Sequence, residues 1–258
     1  MTTAILSNYE RQEQLRVLIE QQHRLSIAQI CSHFSISEAT ARRDLDALVE
    51  RGVIRRVHGG AIAVHRAPPE PPVAQRSTEQ SELKARIGQL AATLISNRET
   101  IFLGSGTTVL EVARHLHSYA NLTIITNSLP VMTALSDKPG INLIGLGGVF
   151  RPGELSFIGH ITIQAMAELR PDKVIIGIRA LDPDEGLTND YVPETPTVRA
   201  ILDAGKEVII VADHTKCGRV SVAFVAPLNV VDTLVTDAEI APELREDFAQ
   251  KGLRILAA

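Results

Sequence analysis

The sequence predicts an α/β chain of two unequal parts: a small helical unit with a terminal hairpin, then a larger unit with a mostly parallel sheet. Three observations predict it. Residues 65–77, "HRAPPEPPVAQRS", set four prolines around one Glu, which neither a helix nor a central strand accommodates. Before this segment apolar residues recur at helical spacing; after it, short apolar runs alternate with amphipathic stretches. The expected boundaries are 1–64, a semi-rigid extended linker at 65–77, and 78–258.

In the first unit, residues 9–22 place Leu15, Leu18 and Ile19 on one helical face. "SIAQICSHF" starts at a cap, Ser26, and turns Ile27, Ile30 and Phe34 inward. "SISEATARRDLDALVERG" has Ser37 as cap, Glu38 in the first turn and Gly52 as stop. "VIRRVHGGAIAV" alternates about "HGG", a hairpin signal. Three helices and a hairpin in some 60 residues predict a winged helix-turn-helix. Beyond the prolines come strands in "TIFLG", "LTIIT", "INLIGLGG", "DKVIIGI", "EVIIVAD", "VVDTLVTD" and "LRILA". Helices are expected at 107–117 and 128–136, and within 156–169, 195–204 and 242–250. Ligands in such a sheet bind beyond the carboxyl ends of the strands.

The chain has 258 residues, is 45% hydrophobic and 22% charged, and carries a formal net charge of −4. That charge is uneven. Residues 1–66 hold nine Arg and no Lys against seven acids; within 42–66 six Arg face three acids. A basic patch on an acidic protein suits a polyanionic partner. No apolar run approaches membrane-spanning length and no secretory leader is legible, so a cytoplasmic protein is expected. Cys31 and Cys217 lack metal-ligand spacing and suggest no disulfide framework. No cofactor or metal is expected.

On a wheel of the third helix, Ala41, Leu45 and Leu48 face the core and Arg43 points away, beside Ala39 and Thr40. In a helix-turn-helix this helix lies in the major groove. Small Ala39 permits close approach, Thr40 contacts a base or phosphate, and Arg43 forks onto guanine. Arg42 falls on the flank, near phosphate or paired with Glu38 or Asp46. Arg55, Arg56 and His58 on the hairpin reach the backbone or the minor groove. The residues "S-x-x-T-x-R-R-D-L" (Ser37, Thr40, Arg42, Arg43, Asp44, Leu45) and "R-x-H-G-G" (Arg56, His58, Gly59, Gly60) resemble the N-terminal domain of DeoR-family bacterial transcription regulators.

In the second unit "FLGSGTTVLEVA" reads strand, glycine turn, helix. Gly104 and Gly106 admit a ligand to the backbone, and Ser105, Thr107 and Thr108 add hydroxyls to the free amides, which suits phosphate. Thr126, Asn127 and Ser128, and Gly147 and Gly148, also follow strands on the same sheet edge. The resemblance extends here. "SGTT", "TNSLP", "LGG", Gly159, "GLT", Glu194 and "D-x-x-K-x-G-R" (Asp213, Lys216, Gly218, Arg219) are similar to the family's effector domain, itself similar to ribose-5-phosphate isomerase and acyl-CoA proteins on that scaffold. The resemblance implies a repressor of sugar or carbon metabolism, not an enzyme. It would bind an operator in duplex DNA as a homodimer or higher homo-oligomer and answer to a phosphorylated sugar or sugar-acid effector. The alternative is a sugar-phosphate isomerase or CoA-transferase-like enzyme with an appended DNA-binding segment.

Two positions depart from the family pattern. Gly104 stands where Asp is usual, and Arg179 replaces the acidic residue of "GADG". Both changes remove negative charge, so a pocket lined by them suits a more anionic ligand. Otherwise Arg179 pairs locally with Asp182, Asp184 or Glu185. Glu194 either contacts a ligand hydroxyl or sits as an N-terminal helix charge. The neighbours His115 and His117 do not face one another on a helix and suggest no metal. Asp213 with His214 suits a charged turn better than acid–base chemistry, and Cys217 suits a quiet buried residue.

Overall fold

A computed structural model describes residues 7–22, 24–57, 59–63 and 65–258. It divides into two compact units, Met1–Arg66 and Ala67–Ala258.

The first unit opens with helix α1 (Asn8–Gln22), which buries Leu15 and Ile19. Strand β1 (Arg24–Ser26) leads into α2 (Ile27–Phe34). Ser26 and Gln29 cap that helix reciprocally: the Gln29 amide donates to Ser26 Oγ at 3.2 Å, and the Ser26 amide to Gln29 Oε1 at 2.7 Å. Helix α3 (Glu38–Glu50) starts at Ser37, whose hydroxyl accepts from the Thr40 amide. Its Ala41, Leu45 and Leu48 are fully buried, as the wheel requires. Strands β2 (Ile54–Val57) and β3 (Gly60–Ala63) form the expected hairpin. The sequence missed the third strand of this sheet: β1 pairs antiparallel with β3. Gly60 permits the approach, because a Cβ there would lie 2.1 Å from the Leu25 carbonyl oxygen.

Asp44, sequence-adjacent to the arginine pair, faces the other way. It is buried and accepts from Arg11 Nε at 2.6 Å, Arg11 Nη2 at 3.1 Å and Gln12 Nε2 at 3.2 Å. This forked pair ties α1 to α3 and so fixes the angle at which α3 presents Arg43.

The second unit is built on seven parallel strands: β4 (Thr100–Leu103), β5 (Leu122–Thr126), β6 (Ile141–Gly145), β9 (Lys173–Ile176), β12 (Glu207–Val211), β14 (Thr233–Thr236) and β15 (Arg254–Ala257). Their spatial order is β15-β14-β12-β9-β4-β5-β6. Successive side chains alternate between two cores: Phe102, Ile125, Val174 and Ile210 on one face, Ile101, Leu103, Ile124 and Ile209 on the other. Burial on both faces explains the nearly unbroken apolar strands. The crossovers include α6 (Thr107–Arg114), α7 (Leu129–Leu135), α8 (His160–Ala167), α9 (Thr195–Ala204) and α10 (Pro242–Gln250).

The structure refines these expectations. Within 156–169 the helix runs over His160–Ala167. Ser156–Ile158 is a strand, β8, paired antiparallel with β7 (Val149–Arg151), and Gly159 turns the chain at φ 94°. The helix at 107–117 stays α-helical only to Arg114. A second antiparallel sheet, β10 (Ala180–Asp182), β11 (Gly186–Asn189) and β13 (Ala223–Ala226), was not foreseen; its strands are too short to show a period. From Ala67 onward the proline segment belongs to the second unit, and its end coils into α4 (Val73–Arg76), ahead of α5 (Ser81–Ala92).

Asp44→Ala leaves the Arg11 guanidinium without its partner and is expected to destabilise the first unit by about 3 kcal/mol. Denaturant unfolding of the variant against the wild type checks this; an unchanged midpoint would show that the pair does not brace α1 on α3.

Candidate functional site

On the first unit, Ala39 and Arg43 are exposed on α3, with Thr40 half-buried beside them. Arg43 makes no hydrogen bond or ion pair among the described residues. Arg42 is engaged with Glu38, Nη2 to Oε2 at 3.1 Å, on an exposed face. Ser37 serves as the cap, and its hydroxyl lies 3.0 Å from Thr40 Oγ1. On β2, Arg55 and Arg56 are half-buried and point to opposite faces. Arg56 Nε stands 3.8 Å from Asp46 Oδ1. His58 lies outside the described residues.

In the second unit the strand order reverses between β4 and β9: later strands of the chain continue on one side, β5 and β6 on the other. The loops leaving the two strands diverge there, which opens a crevice at their carboxyl ends. A cavity of about 360 Å³ occupies that place. Its wall includes Gly104, Ser105, Gly106, Thr107 and Thr108 after β4, and Gly177 and Arg179 after β9. Gly106 has φ 110° and open space where a side chain would stand. Gly104 has none: a Cβ would lie 2.8 Å from Ile176 Cγ2. The Gly at this position is therefore matched to the Ile across from it.

The charges on the wall converge on Glu70. Its carboxylate Oε1 accepts from Lys216 Nζ at 2.7 Å and lies 3.2 Å from Arg76 Nη1 and 3.3 Å from Arg179 Nη1. Burial opposes its ionisation, but Lys216, Arg76 and Arg179 together hold its pKa below the usual carboxylate range. Arg179 also donates Nη2 to the Pro68 carbonyl and sits 3.9 Å, through Nε, from Asp190 Oδ2. Arg76 reaches on to buried Glu154, and Arg151 Nη1 donates to Glu194 Oε2 at 2.5 Å. Lys84, also on the wall, donates Nζ to the carbonyls of Arg76 at 2.7 Å and Glu79 at 2.6 Å.

Residues 11–67 match the model of the DeoR-like helix-turn-helix domain, and residues 79–238 match the DeoR C terminal sensor domain. The chain belongs to the DeoR family. Transcriptional repressor AccR of Agrobacterium fabrum is 36% identical to it over 250 residues, covering 94% of this chain and 97% of the repressor. The glycerol-3-phosphate regulon repressor of Escherichia coli is 37% identical over 221 residues, 86% and 87% of the two chains. These relatives are named as transcription regulators, not enzymes. Among solved structures, ribose 5-phosphate isomerase A from Neisseria gonorrhoeae aligns at TM-score 0.40 with 16% identity, covering 57% of this chain and 56% of that one. That likeness is too remote to bear on activity.

Of the effector-site residues expected in this DeoR-family chain, Gly104–Thr108, Asn127, Arg179, Glu194 and Lys216 share the cavity wall. Thr126, Ser128, Gly147 and Gly148 do not. Thr126 Oγ1 accepts from the Ser128 amide at 3.0 Å, and Ser128 caps α7; both hydroxyls are spent on the local turn. The Gly147 carbonyl accepts from Thr162 Oγ1 at 2.8 Å, and a side chain on Gly148 would lie 2.3 Å from that oxygen. Both glycines thus serve the packing of α8. Arg179 reaches Glu70 and Asp190, acids the sequence reasoning did not consider. Glu70, Arg76, Lys84, Arg151 and Glu154 were missed. One signal was present: a spacer has no need of the single acid in "PPEPP".

Other candidates resolve locally. His214 Nδ1 lies 2.9 Å from Asp237 Oδ1, in a turn where the His214 and Glu239 amides also donate to Asp237. Burial pushes the Cys217 thiol up to about 12, so it stays protonated.

Burial pushes Glu194 up to about 7, with Glu154 adding to the rise and Arg151 opposing it. Glu154 is raised too, chiefly by burial. Between the ordinary Glu value of 4.5 and about 7 the native state therefore binds more protons than the unfolded chain, and stability falls as pH rises. Glu70, shifted down, gives stability that is lost only below that window. Melting of the second unit should drop from about pH 5 to 8, and Glu194→Gln should flatten the slope. Parallel profiles for variant and wild type would mean that Glu194 is ionised throughout.

Proposed function

We propose that this chain represses sugar or carbon metabolism genes by binding operator DNA, and that a phosphorylated or otherwise strongly anionic sugar-like effector controls the binding. Arg43 carries the DNA half of the reading. An exposed guanidinium with no described partner, projecting from a helix braced by a buried ion pair, is preorganised to meet a base edge. Ser37, Ala39 and Thr40 stand on the approach to that base. Arg42, Arg55, Arg56 and His58 supply phosphate contacts that add affinity without reading sequence.

The effector half is supported by the turn 104–108. It offers backbone amides, hydroxyls and a side-chain-free Gly106 to an anion in a cavity that also holds Lys216 and Arg179. The work divides along the chain: residues 1–64 bind DNA and 78–258 sense, while 65–77 connect and add Glu70 and Arg76 to the cavity wall. Paired half-sites call for at least a homodimer, and the protein acts in the cytoplasm. The names of the relatives, among them a glycerol-3-phosphate regulon repressor, favour a phosphorylated carbon metabolite as the signal. Linkage supplies the mechanism: an effector that prefers one arrangement of the sensing unit shifts the affinity of the DNA-binding unit.

Arg43→Ala is expected to cost about 1–3 kcal/mol at the operator and to relax one base preference. Arg56→Ala should weaken all sequences alike and lower the salt dependence of binding. Affinities for an operator and its single-base variants, over a range of salt, separate the two. Identical specificity profiles would contradict the assignment of faces.

Gly106→Val places a branched side chain at a positive φ and into the cavity. The thermal shift that sugar phosphates and sugar acids give the wild type should disappear, while operator binding persists. A retained shift would remove the turn from the effector site.

A further inference from the structure

The cavity wall carries five cationic and six acidic side chains among the described residues. As it stands, acids and cations are mixed on this wall, and a phosphorylated ligand entering it meets acidic groups as well as cations. One of those carboxylates differs from the rest. Glu70 belongs to no helix or strand; residues 67–72 are irregular, and four of the six are prolines. It nevertheless engages three cations from three separate places: Arg76 on α4, Arg179 after β9 and Lys216 after β12. Two guanidinium groups and an ammonium are the donors that recognise a free carboxylate or phosphate group. The Arg179 side chain is 6% exposed, and its Nε has no hydrogen-bond partner. That edge of the guanidinium fork faces Asp190 Oδ2 at 3.9 Å, an ion pair without a hydrogen bond.

We propose that Glu70 is an internal stand-in for the second anionic group of the effector. The effector class that follows is a two-ended anion: a phosphate on the 104–108 turn, and a carboxylate or second phosphate that displaces Glu70 from Arg76, Arg179 and Lys216. This rests on the reading of that turn as the phosphate seat. Exchange of one oxyanion for another keeps the three cations paired, so neither state leaves a buried charge alone. Expulsion of Glu70 also moves a connected piece of chain. Prolines lack an N–H, so within 67–72 only Ala67 and Glu70 can donate from the backbone. The Glu70 amide is held by Asp190 Oδ2 at 2.9 Å, and the Pro68 and Pro71 carbonyls by Arg179 and Arg76. The same arginines thus hold the carboxylate and its flanking prolines. Glu70 stands four residues beyond Arg66, where the DNA-binding unit ends. A ligand that takes over these arginines releases the segment covalently joined to that unit.

The test uses the full chain and three probes: inorganic phosphate, glycerol 3-phosphate with one anionic end, and 3-phosphoglycerate with two. Calorimetric titration compares the wild type with Glu70→Gln. The variant is expected to bind 3-phosphoglycerate about tenfold more tightly, the factor for removal of an occupant that fills the site about nine-tenths of the time. The gain for glycerol 3-phosphate should be clearly smaller. In the unmodified protein, 3-phosphoglycerate should cost the Glu70 amide its hydrogen-exchange protection and glycerol 3-phosphate should not; this readout decides the matter if the variant fails to fold. Equal gains for both organic probes, which loss of one negative charge alone would give, or unchanged protection at Glu70, would overturn the stand-in and leave the phosphate seat intact. No binding by any probe, inorganic phosphate included, would remove the seat and the stand-in with it.

Discussion

One half-buried carboxylate organises the sensing unit. Glu70 draws together the proline segment, α4, the loop after β9 and the loop after β12 through Arg76, Arg179 and Lys216. From there the charges alternate outward: Arg76 to Glu154, then Arg151 to Glu194. In so dry a setting each ion depends on its neighbour, because a buried charge deprived of its partner costs several kcal/mol. The cavity therefore holds its shape as one network. A ligand enters on favourable terms by substituting for a member of that network, and Glu70 is a member carried outside any helix or strand.

The location of the network follows from the sheet. Seven parallel strands bury both faces, and the chain winds outward in both directions from the β4–β9 pair. Where the winding reverses, the loops part and polar groups can line a crevice without disturbing either core. The glycine turn 104–108 closes one side of it, and Arg179 and Lys216 enter from strands on the other. In the DNA-binding unit the corresponding brace is Asp44 with Arg11. Sequence-adjacent Arg43 and Asp44 stand about 100° apart on α3, one toward solvent and one into the unit. A single helix thus presents the reader and anchors it.

What the sequence revealed and what it concealed divide by range. The helices of the first unit were legible because Leu15 with Ile19, and Ala41 with Leu45 and Leu48, repeat at helical spacing, and because Ser26 and Ser37 are capping residues in capping positions. The seven strands stood out as apolar runs because both faces are buried. The turn 104–108 could be placed because its glycines and hydroxyls are contiguous. Glu70, Arg76 and Glu154 could not, since their meeting depends on which loops the topology brings together, and pairing over such separations leaves no local period. The three-residue β1 and β8 are too short to show alternation. Thr126, Ser128, Gly147 and Gly148 follow strands as ligand-binding residues do, but their polar groups are consumed within their own turns and in packing α8. Local chemistry alone does not distinguish the two uses.

On the proposed mechanism, ligand and operator compete for one conformational equilibrium, with the proline segment as the part that changes hands. Linkage then requires the coupling to be reciprocal. The most direct measurement is a closed thermodynamic cycle on the full chain: operator affinity with and without saturating 3-phosphoglycerate, and ligand affinity with and without operator. Operator binding is expected to weaken with ligand, ligand binding to weaken by the same factor with operator, and Glu70→Gln to change this factor. Operator affinity that is the same with and without bound ligand would contradict this mechanism.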